Sequence, residues 1–213
     1  MFDLLRKELC LAAHPSTFIF ICLGALVLIP AYPYGVVFFF AMLGVFQSIM
    51  YARETRDIYF TALLPVRKRD AVKAKLLLAA FAELAQLLVS LPCAFLRTLY
   101  LPEGNPVGIE ANAAYYGFGL IIFGIFNFVF FTRFFRTAYK AGMSFLIALI
   151  PCTVCIFAME AAVHFPGMGW LDGTSREDLV RQLPVLLVGI AFYAAACFFT
   201  YRAAARQFEK VDL

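Results

Sequence analysis

Residues Arg53 to Lys75 read Arg-Glu-Thr-Arg-Asp-Ile-Tyr-Phe-Thr-Ala-Leu-Leu-Pro-Val-Arg-Lys-Arg-Asp-Ala-Val-Lys-Ala-Lys, the only long polar interruption in the first half of an apolar chain. Two charged clusters flank an apolar strip that ends at Pro65. The apolar residues of the strip recur at helical spacing, and proline disfavours helix in the residue before it. This pattern predicts a short amphipathic helix over about Asp57 to Leu64. Such a helix can lie flat on lipid headgroups or dock into a groove of a soluble partner.

The composition of the chain indicates a membrane protein. Of its 213 residues, 63% are hydrophobic and only 15% are charged, which is far outside the average of soluble globular proteins. The apolar residues are grouped in runs of about 17 to 25, which is long enough to cross a hydrocarbon core of roughly 30 Å. We therefore predict an all-α integral membrane protein with six transmembrane helices in one transmembrane domain, residues 1–213.

The apolar runs and the turn residues between them predict the order of the segments. Residues 1–13 separate into a charged and an apolar face, which predicts an interfacial helix before the first span. A polar loop, residues 53–70, joins the second span to the third. The first run lacks a small-residue cleavage pattern, so no cleavable signal peptide is expected. The six predicted spans are residues 17–29, 36–52, 71–101, 113–131, 141–163 and 183–201.

The positions of the cations predict the orientation of the chain. All lysines and arginines except Arg97, Arg176 and Arg181 lie in the N-terminal helix, in residues 53–75, in residues 133–140 or in the C-terminal tail. Cations near span ends remain on the cytoplasmic side of the membrane. Both termini are therefore predicted to be cytoplasmic. Orientation also accounts for the net charge of +4, and we expect no nucleic-acid partner.

The sequence offers little for catalysis or metal binding. Its two histidines, His14 and His164, are predicted to lie at opposite faces of the membrane. Cys152 and Cys155 have the spacing of a metal or redox pair, but no second ligand pair lies near them in the sequence. The chain also lacks a Gly-x-x-x-x-Gly-Lys phosphate loop. We therefore predict no catalytic residue, no metal site and no cofactor in this chain, and any nucleotide chemistry must come from a partner.

A few polar and aromatic side chains within the predicted spans are candidates for a translocation pathway. Glu83 and Gln86 share one face of the third span, where they could line a pathway or form hydrogen bonds to a neighbouring helix. The second interpretation is the more common one. Phe123 and Asn127 in the fourth span are further pathway candidates. The phenylalanines of that span could form a wall for an amphipathic substrate, although such residues more often pack on lipid or on other helices.

One ion pair is expected at the outer end of the fifth span. Glu160 and His164 lie four residues apart, which places them on the same side of a helix. We expect Glu160 to pair with His164 or with Arg97.

The stretch Leu63-Leu-Pro-Val-Arg-Lys-Arg-Asp-Ala-Val-Lys-Ala-Lys75 resembles part of the ABC-2 type permeases. It is most similar to a small six-span subfamily that includes exporters of amphipathic peptides of the phenol-soluble-modulin type. That subfamily carries a Leu-Pro-Val-x-Arg-like element followed by valine and lysine at similar spacing. The residues from Glu54 to Tyr59, the N-terminal interfacial helix and the six-span plan also fit. The resemblance therefore covers essentially the whole chain.

The resemblance implies a half-transporter in the bacterial cytoplasmic membrane. Two permeases, either two copies of this chain or this chain and a related one, would form the pathway. Each would dock a separate ABC ATPase, which binds ATP and Mg, through a cytoplasmic coupling helix between spans two and three. In that helix the apolar side chains would supply the buried contact and the charged ones would set the register at its rim. The candidate coupling residues are Glu54, Asp57, Ile58, Tyr59, Leu63, Leu64, Pro65, Arg67 and Lys68.

The resemblance allows several classes of substrate. Related permeases handle peptides, lipids, glycans and drugs, and the predicted external loops are too short to form receptor domains. We expect an amphipathic peptide or another hydrophobic substrate, taken from the cytoplasm or the inner leaflet, with membrane lipid around the chain. The alternative is a non-transport scaffold or immunity protein that binds its partner through the basic cytoplasmic face. An intramembrane enzyme is a third alternative.

Overall fold

A computed structural model describes residues 2–63, 65–100 and 104–211, and every regular element within these ranges is a helix. A π-helical turn, Glu8–Ala12, follows the first helix, and 3₁₀ segments cover Leu23–Leu28 and Gly169–Leu171. The α-helices are α1 (Phe2–Lys7), α2 (Pro15–Cys22), α3 (Gly35–Glu54), α4 (Asp57–Leu63), α5 (Lys68–Tyr100), α6 (Ala113–Thr137), α7 (Ala141–Ala162) and α8 (Arg176–Glu209).

The helices α3, α5, α6, α7 and α8 are long and apolar enough to cross a membrane. A sixth span is present if Leu4–Ala12 and Pro15–Leu28, which meet at an angle of 89°, are counted as one. The prediction of an all-α membrane protein is therefore confirmed, with five or six candidate spans among the described residues.

The first predicted span differs from a regular α-helix. Over residues 17–29 the sequence predicts one helix, whereas α2 ends at Cys22 and a 3₁₀ segment continues to Leu28. A 3₁₀-helix rises about 2 Å per residue, so α2 and this segment together extend about 24 Å. Within the segment, a β-carbon added to Gly24 would lie 2.6 Å from the backbone oxygen of Gln86. The 3₁₀ segment thus approaches the backbone of α5 closely.

Two of the long helices extend beyond the predicted spans. α8 runs unbroken from Arg176 to Glu209 and includes both the segment before the sixth predicted span and the tail after it. Ser175 caps this helix, because its hydroxyl accepts a hydrogen bond from the backbone N–H of Asp178 at 3.2 Å. α5 begins at Lys68, slightly before the predicted start, and residue 101, the predicted end of its span, lies outside the described residues.

α6 is the centre of the bundle. Its phenylalanines pack mainly inside the chain, as the more common interpretation of this span proposes. α8 lies directly against α6, since a β-carbon added to Gly117 would lie 2.7 Å from the backbone oxygen of Val185. Small residues at such crossings allow helix backbones to touch. The fully buried phenylalanines of α6 are Phe123, Phe126, Phe130, Phe131, Phe134 and Phe135.

The connections between the helices gather at two ends of the bundle. We call the end that carries α1, α4 and the C-terminal turn of α8 the α4 end. The opposite end, which carries residues 30–34, 104–112 and 163–175, is the loop end. By the predicted orientation, the α4 end is the cytoplasmic one.

Candidate functional site

Four charged side chains meet inside the α4 end. Lys7 lies 2.7 Å from Asp57 and 2.9 Å from Glu8, whereas Lys75 lies 2.8 Å from Asp57 and 3.0 Å from Glu8. The four side chains are between 1% and 12% exposed. They form a closed ring of alternating charge, which we call the charge quartet. Its charges cancel, and each buried ion therefore has partners of opposite sign.

The charge quartet joins three elements that are distant in the sequence. Lys7 and Glu8 lie where α1 meets the π-helical turn, Asp57 is the first residue of α4, and Lys75 lies about two turns into α5. Lys7 also donates a hydrogen bond to the hydroxyl of Thr61 at 2.9 Å. The charge quartet thus holds α4 at its first turn and at its second.

The environment of Asp57 favours its ionised form. Burial raises the pKa of the Asp57 carboxyl, but the ammonium of Lys75 and the hydrogen bonds from Lys7 and Lys75 outweigh burial and lower this pKa below its ordinary value. Asp57 is therefore a stable anion that both lysines can hold.

α4 presents a different side to the solvent. Ile58 is 7% exposed and packs in the core, and Thr61 is also buried. In contrast, Tyr59, Phe60 and Leu63 are 53%, 57% and 85% exposed. α4 is therefore an anchored helix with an uncovered apolar face, and we call Tyr59, Phe60 and Leu63 the α4 face.

The structure revises how the candidate coupling residues divide between the two sides of α4. Asp57 was expected at the rim of a partner contact and Ile58 within it, but both contact the chain's own bundle. The sequence pattern assigned the apolar residues at helical spacing, which include both Ile58 and Tyr59, to one face. It could not show this division, because the partners of Asp57 lie 18 to 50 residues away in the sequence.

The remaining candidate coupling residues surround the α4 face. Glu54, Pro65 and Arg67 are exposed, as expected for a rim. Lys68 was expected at the same rim, but its ammonium donates a hydrogen bond to the backbone oxygen of Val211 at 2.6 Å. Lys68 therefore holds Val211, just after α8, beside the start of α5. Leu64 lies outside the described residues.

A cleft of about 660 Å³ adjoins the α4 face. One wall is the junction of α3 and α4, including Arg53 and Tyr59, and the other is the turn between α6 and α7, including Tyr139. The guanidinium carbon of Arg53 lies 5.2 Å from the centre of the Tyr139 ring, a cation–π distance. Sequence reasoning missed Tyr139, since a single tyrosine in a short turn gives no signal of this contact.

A comparison with known families agrees with this architecture. A family model described as ABC-2 family transporter protein matches residues 3–203. The chain belongs to the ABC-2 transporter family. No curated protein and no solved structure matches it. Membership makes the chain a transmembrane permease component of an ABC transporter, and not itself the catalytic subunit.

The pathway candidates of this ABC-2 permease lie deep in the bundle. Glu83, Gln86, Phe123 and Asn127 are at most 1% exposed. The amide of Asn127 donates a hydrogen bond to Glu83 at 2.8 Å, and the Tyr193 hydroxyl donates a second one at 2.6 Å. These four side chains therefore pack between helices in this conformation, and a pathway role for them stays a prediction.

Gln86 makes a separate contact inside the ABC-2 permease. Its side-chain amide donates a hydrogen bond to the backbone oxygen of Phe20 at 3.0 Å, which links α5 to α2. Hydrogen bonds of this kind are common packing devices between membrane helices.

The loop end of the ABC-2 permease pairs its charges differently from the prediction. Arg97 forms two hydrogen bonds with Glu110, at 3.1 and 3.2 Å. The carboxylate of Glu160 instead accepts hydrogen bonds from the backbone N–H groups of Gly35, at 2.6 Å, and Ile109, at 3.1 Å. The expected pairing of Glu160 with Arg97 is therefore wrong. Glu110 was missed because it lies within the predicted loop between the third and fourth spans, where spacing does not identify partners.

Proposed function

We propose that this chain is the membrane subunit of an ATP-driven exporter in which two permeases form the translocation pathway. Its membership of the ABC-2 family supports a permease role. The chain also lacks a phosphate-loop motif, so a separate ATPase subunit would bind ATP and Mg. The second permease would be another copy of this chain or a related permease.

The α4 face is the proposed docking site of the ATPase. The observation that carries this proposal is the exposure of three large apolar side chains on a helix whose other side is held by the charge quartet. Large apolar and aromatic side chains that enter a partner's pocket supply most of the energy of typical interfaces. Charged residues at the rim, here Glu54 and Arg67, fix the register and the rate of association.

The charge quartet suggests how movement would spread from α4. Closure of two ATPase subunits would displace the docked α4 helices, and the ion pairs would carry this displacement to α1 and α5. Such rigid-body movements switch domains between discrete arrangements. The N-terminal segment would then move with the pathway helices through Lys7 and Glu8.

The proposed orientation places the α4 end in the cytoplasm, because nearly all lysines and arginines lie on that side. The proposed substrate is an amphipathic peptide or another hydrophobic molecule. The apolar character of the bundle surface, including Phe157 and Leu187, supports access from the membrane itself.

The decisive experiment is purification of the full chain from its native host with a C-terminal tag, followed by mass spectrometry of the proteins that co-purify. We expect a stoichiometric soluble subunit that contains a phosphate loop. The substitution Leu63→Asp should reduce its recovery by more than about tenfold, because burying an unpaired carboxylate in an apolar contact costs several kcal/mol. Leu63→Met, which retains an apolar side chain, should leave recovery unchanged.

The same experiment separates the proposal from its alternative. Recovery of the ATPase at the wild-type level with Leu63→Asp, in a chain that is inserted and monodisperse, would remove α4 as the docking site. If crosslinking in intact membranes captures no ATPase at all, a non-transport scaffold or immunity protein becomes the better description.

A further inference from the structure

An apolar groove runs along the surface between α3 and α7 at the loop end. Its volume is about 660 Å³, within the range of small-molecule sites. Val36 and Phe39 of α3 form one wall, and Ile156 and Phe157 of α7 form the other. We call it the α3–α7 groove. Phe157 is largely exposed, so the groove opens at the surface of the bundle.

The polar groups of the α3–α7 groove are unevenly distributed. Glu160 and His164 lie at the end nearest the loops, whereas the far end, near Thr153, is bordered mainly by apolar side chains. From Thr153 to the end of α7 at Ala162 the helix rises about 13.5 Å, a little under half of the hydrocarbon core. A ligand that fits such a groove has one apolar chain and a polar head at the Glu160 end.

The carboxylate of Glu160 is held in a fixed position at the end of the α3–α7 groove nearest the loops. Two backbone N–H groups, of Gly35 and Ile109, donate hydrogen bonds to it. Gly35 and Gly108 leave space for this carboxylate. A β-carbon added to Gly35 would lie 2.9 Å from its Oε1 atom, and a β-carbon added to Gly108 would overlap its Oε2 atom. Glu160 is nevertheless half-buried, so a ligand can still reach it.

The charge of Glu160 has no cationic partner in the part of the chain that the structure describes. The ion pairs found there join Lys7, Arg69, Lys75 and Arg97 to other acids. His164 contacts the backbone oxygen of Val107 through its Nε2 atom at 3.3 Å. A negative charge at the mouth of an apolar groove favours a positively charged head group.

We propose that the α3–α7 groove binds the transported substrate and selects an amphipath with a cationic amine head and a single apolar chain. The amine is held by Glu160, and the chain lies between α3 and α7. This inference rests on the proposed transport function, because it names the class of substrate. Binding itself is measured without the ATPase, so failure of either proposal can be recognised separately.

The test uses the full chain in nanodiscs of phosphatidylglycerol, a lipid without a cationic head. The probe is a dodecylammonium ion with a photoreactive diazirine at the end of its chain, and the control probe is dodecanol with the same group. Mass spectrometry after illumination locates the labelled residues. We expect labelling in residues 33–39 and 153–164 that saturates with probe concentration. Equal, unsaturable labelling of the exposed side of α8, for example at Leu187, would overturn the proposal.

Two variants test the binding of the probe's amine head group and of its apolar chain separately. Glu160→Gln removes the charge and keeps one side-chain oxygen, which can accept from Gly35 or from Ile109 but not from both as the two carboxylate oxygens do. It should weaken binding of the amine about tenfold, since charge-assisted hydrogen bonds are about twice as strong as neutral ones. Binding of dodecanol should not change. Thr153→Trp fills the far end and should abolish labelling by both probes. Equal affinity of Glu160→Gln and wild type for the amine would overturn the role of Glu160.

A final arm distinguishes a transported substrate from a resident lipid that carries the same head group. Proteoliposomes that contain the chain and its co-purified ATPase should move the amine in an ATP-dependent manner, and Glu160→Gln should slow this movement. Binding without transport would identify a resident lipid site and overturn the substrate assignment. Saturable labelling in a chain that has no ATPase partner would have the same consequence and would also remove the proposed function.

Discussion

The α4 end and the loop end both bury polar side chains, but the partners of those side chains differ. At the α4 end, two lysines and two carboxylates pair with one another in the charge quartet. At the loop end there is one buried ion pair, Arg97 with Glu110, and several other buried polar side chains pair with the backbone. Asn112 donates a hydrogen bond to the backbone oxygen of Leu171 at 2.7 Å, and Asp172 accepts one from the N–H of Glu110 at 2.7 Å.

The two ends use different partners because the charge quartet joins helices, whereas the polar side chains of the loop end join loops. The charge quartet joins helices whose backbone hydrogen bonds are already satisfied, so its energy goes into their relative position. The loops lack the regular backbone hydrogen bonds of a helix, so their buried N–H and C=O groups need side-chain partners instead. Loss of one charge should therefore displace helices, whereas loss of one amide should loosen a loop. The following predictions test this contrast.

The largest effect is expected for Lys75→Met. This change leaves Glu8 and Asp57 with a single cation, Lys7, inside a buried site. Removal of one partner from a buried ion pair typically costs about 3–5 kcal/mol. We expect a loss of this size in the free energy of unfolding, measured by chemical denaturation of the purified chain in detergent.

Lys73→Met is the matched control, because Lys73 is an exposed lysine of the same helix. It should change the stability by less than about 0.5 kcal/mol. The double variant Glu8→Gln with Lys75→Met restores the balance of charge and should recover part of the loss. A Lys75→Met chain as stable as Lys73→Met would show that the charge quartet does not hold the α4 end together.

A smaller and more local effect is expected for Gln182→Met at the loop end. The amide of Gln182 donates to the backbone oxygens of Trp170, at 2.7 Å, and Gly173, at 2.8 Å. Leaving such buried groups unpaired costs about 1–3 kcal/mol. We expect faster hydrogen exchange in residues 104–112 and 169–173, measured by mass spectrometry, with α4 unchanged.

Gln207→Met serves as the control for this experiment, since Gln207 lies in the same helix and has no side-chain hydrogen bond within the described residues. It should leave exchange in the loops as it is in the wild type. If Gln182→Met increased exchange in α4 as much as in the loops, the two ends would not be independent.

The contrast also explains which features the sequence could predict. Long apolar runs and the turn residues between them were enough to predict the number and order of the long helices, because each span depends mainly on its own hydropathy. The position of α4 was also predicted from local sequence, namely the helical spacing of its apolar residues and the proline at Pro65. Helix ends were less predictable, since Lys68 and Arg176 extend their helices into polar residues that hydropathy does not assign.

The candidate site was predictable only in part. The charge quartet depends on contacts between Glu8 and Lys75, which lie 67 residues apart, and no local spacing reveals them. For this reason Asp57 was placed on the wrong side of α4. Tyr59 and Leu63 were predicted to supply the buried contact with a partner; both lie on the exposed side of α4, and their contact with the ATPase stays a prediction.

The smallest effect concerns pH, and its sign should differ between the two ends. The pKa of Asp57 is lowered, since its lysine partners outweigh burial, so its contribution to stability is lost as the pH falls through its ordinary value and then the folded one. Burial raises the pKa of Asp172 despite the hydrogen bond from the Glu110 N–H. Its folded form therefore takes up a proton before its unfolded form does, and acidification stabilises the folded chain through Asp172.

Two variants isolate these opposite contributions. Unfolding free energies of wild type, Asp57→Asn and Asp172→Asn are compared in detergent from about pH 7 to about pH 3, the interval in which these carboxyls titrate. The advantage of wild type over Asp57→Asn should shrink on acidification, because protonated Asp57 no longer attracts Lys75. Relative to Asp172→Asn, wild type should instead gain stability, since it no longer buries an unpaired charge. Differences of the same sign would mean that the two ends hold their carboxyls in the same way, and the contrast between ion pairs and backbone bonds would fail.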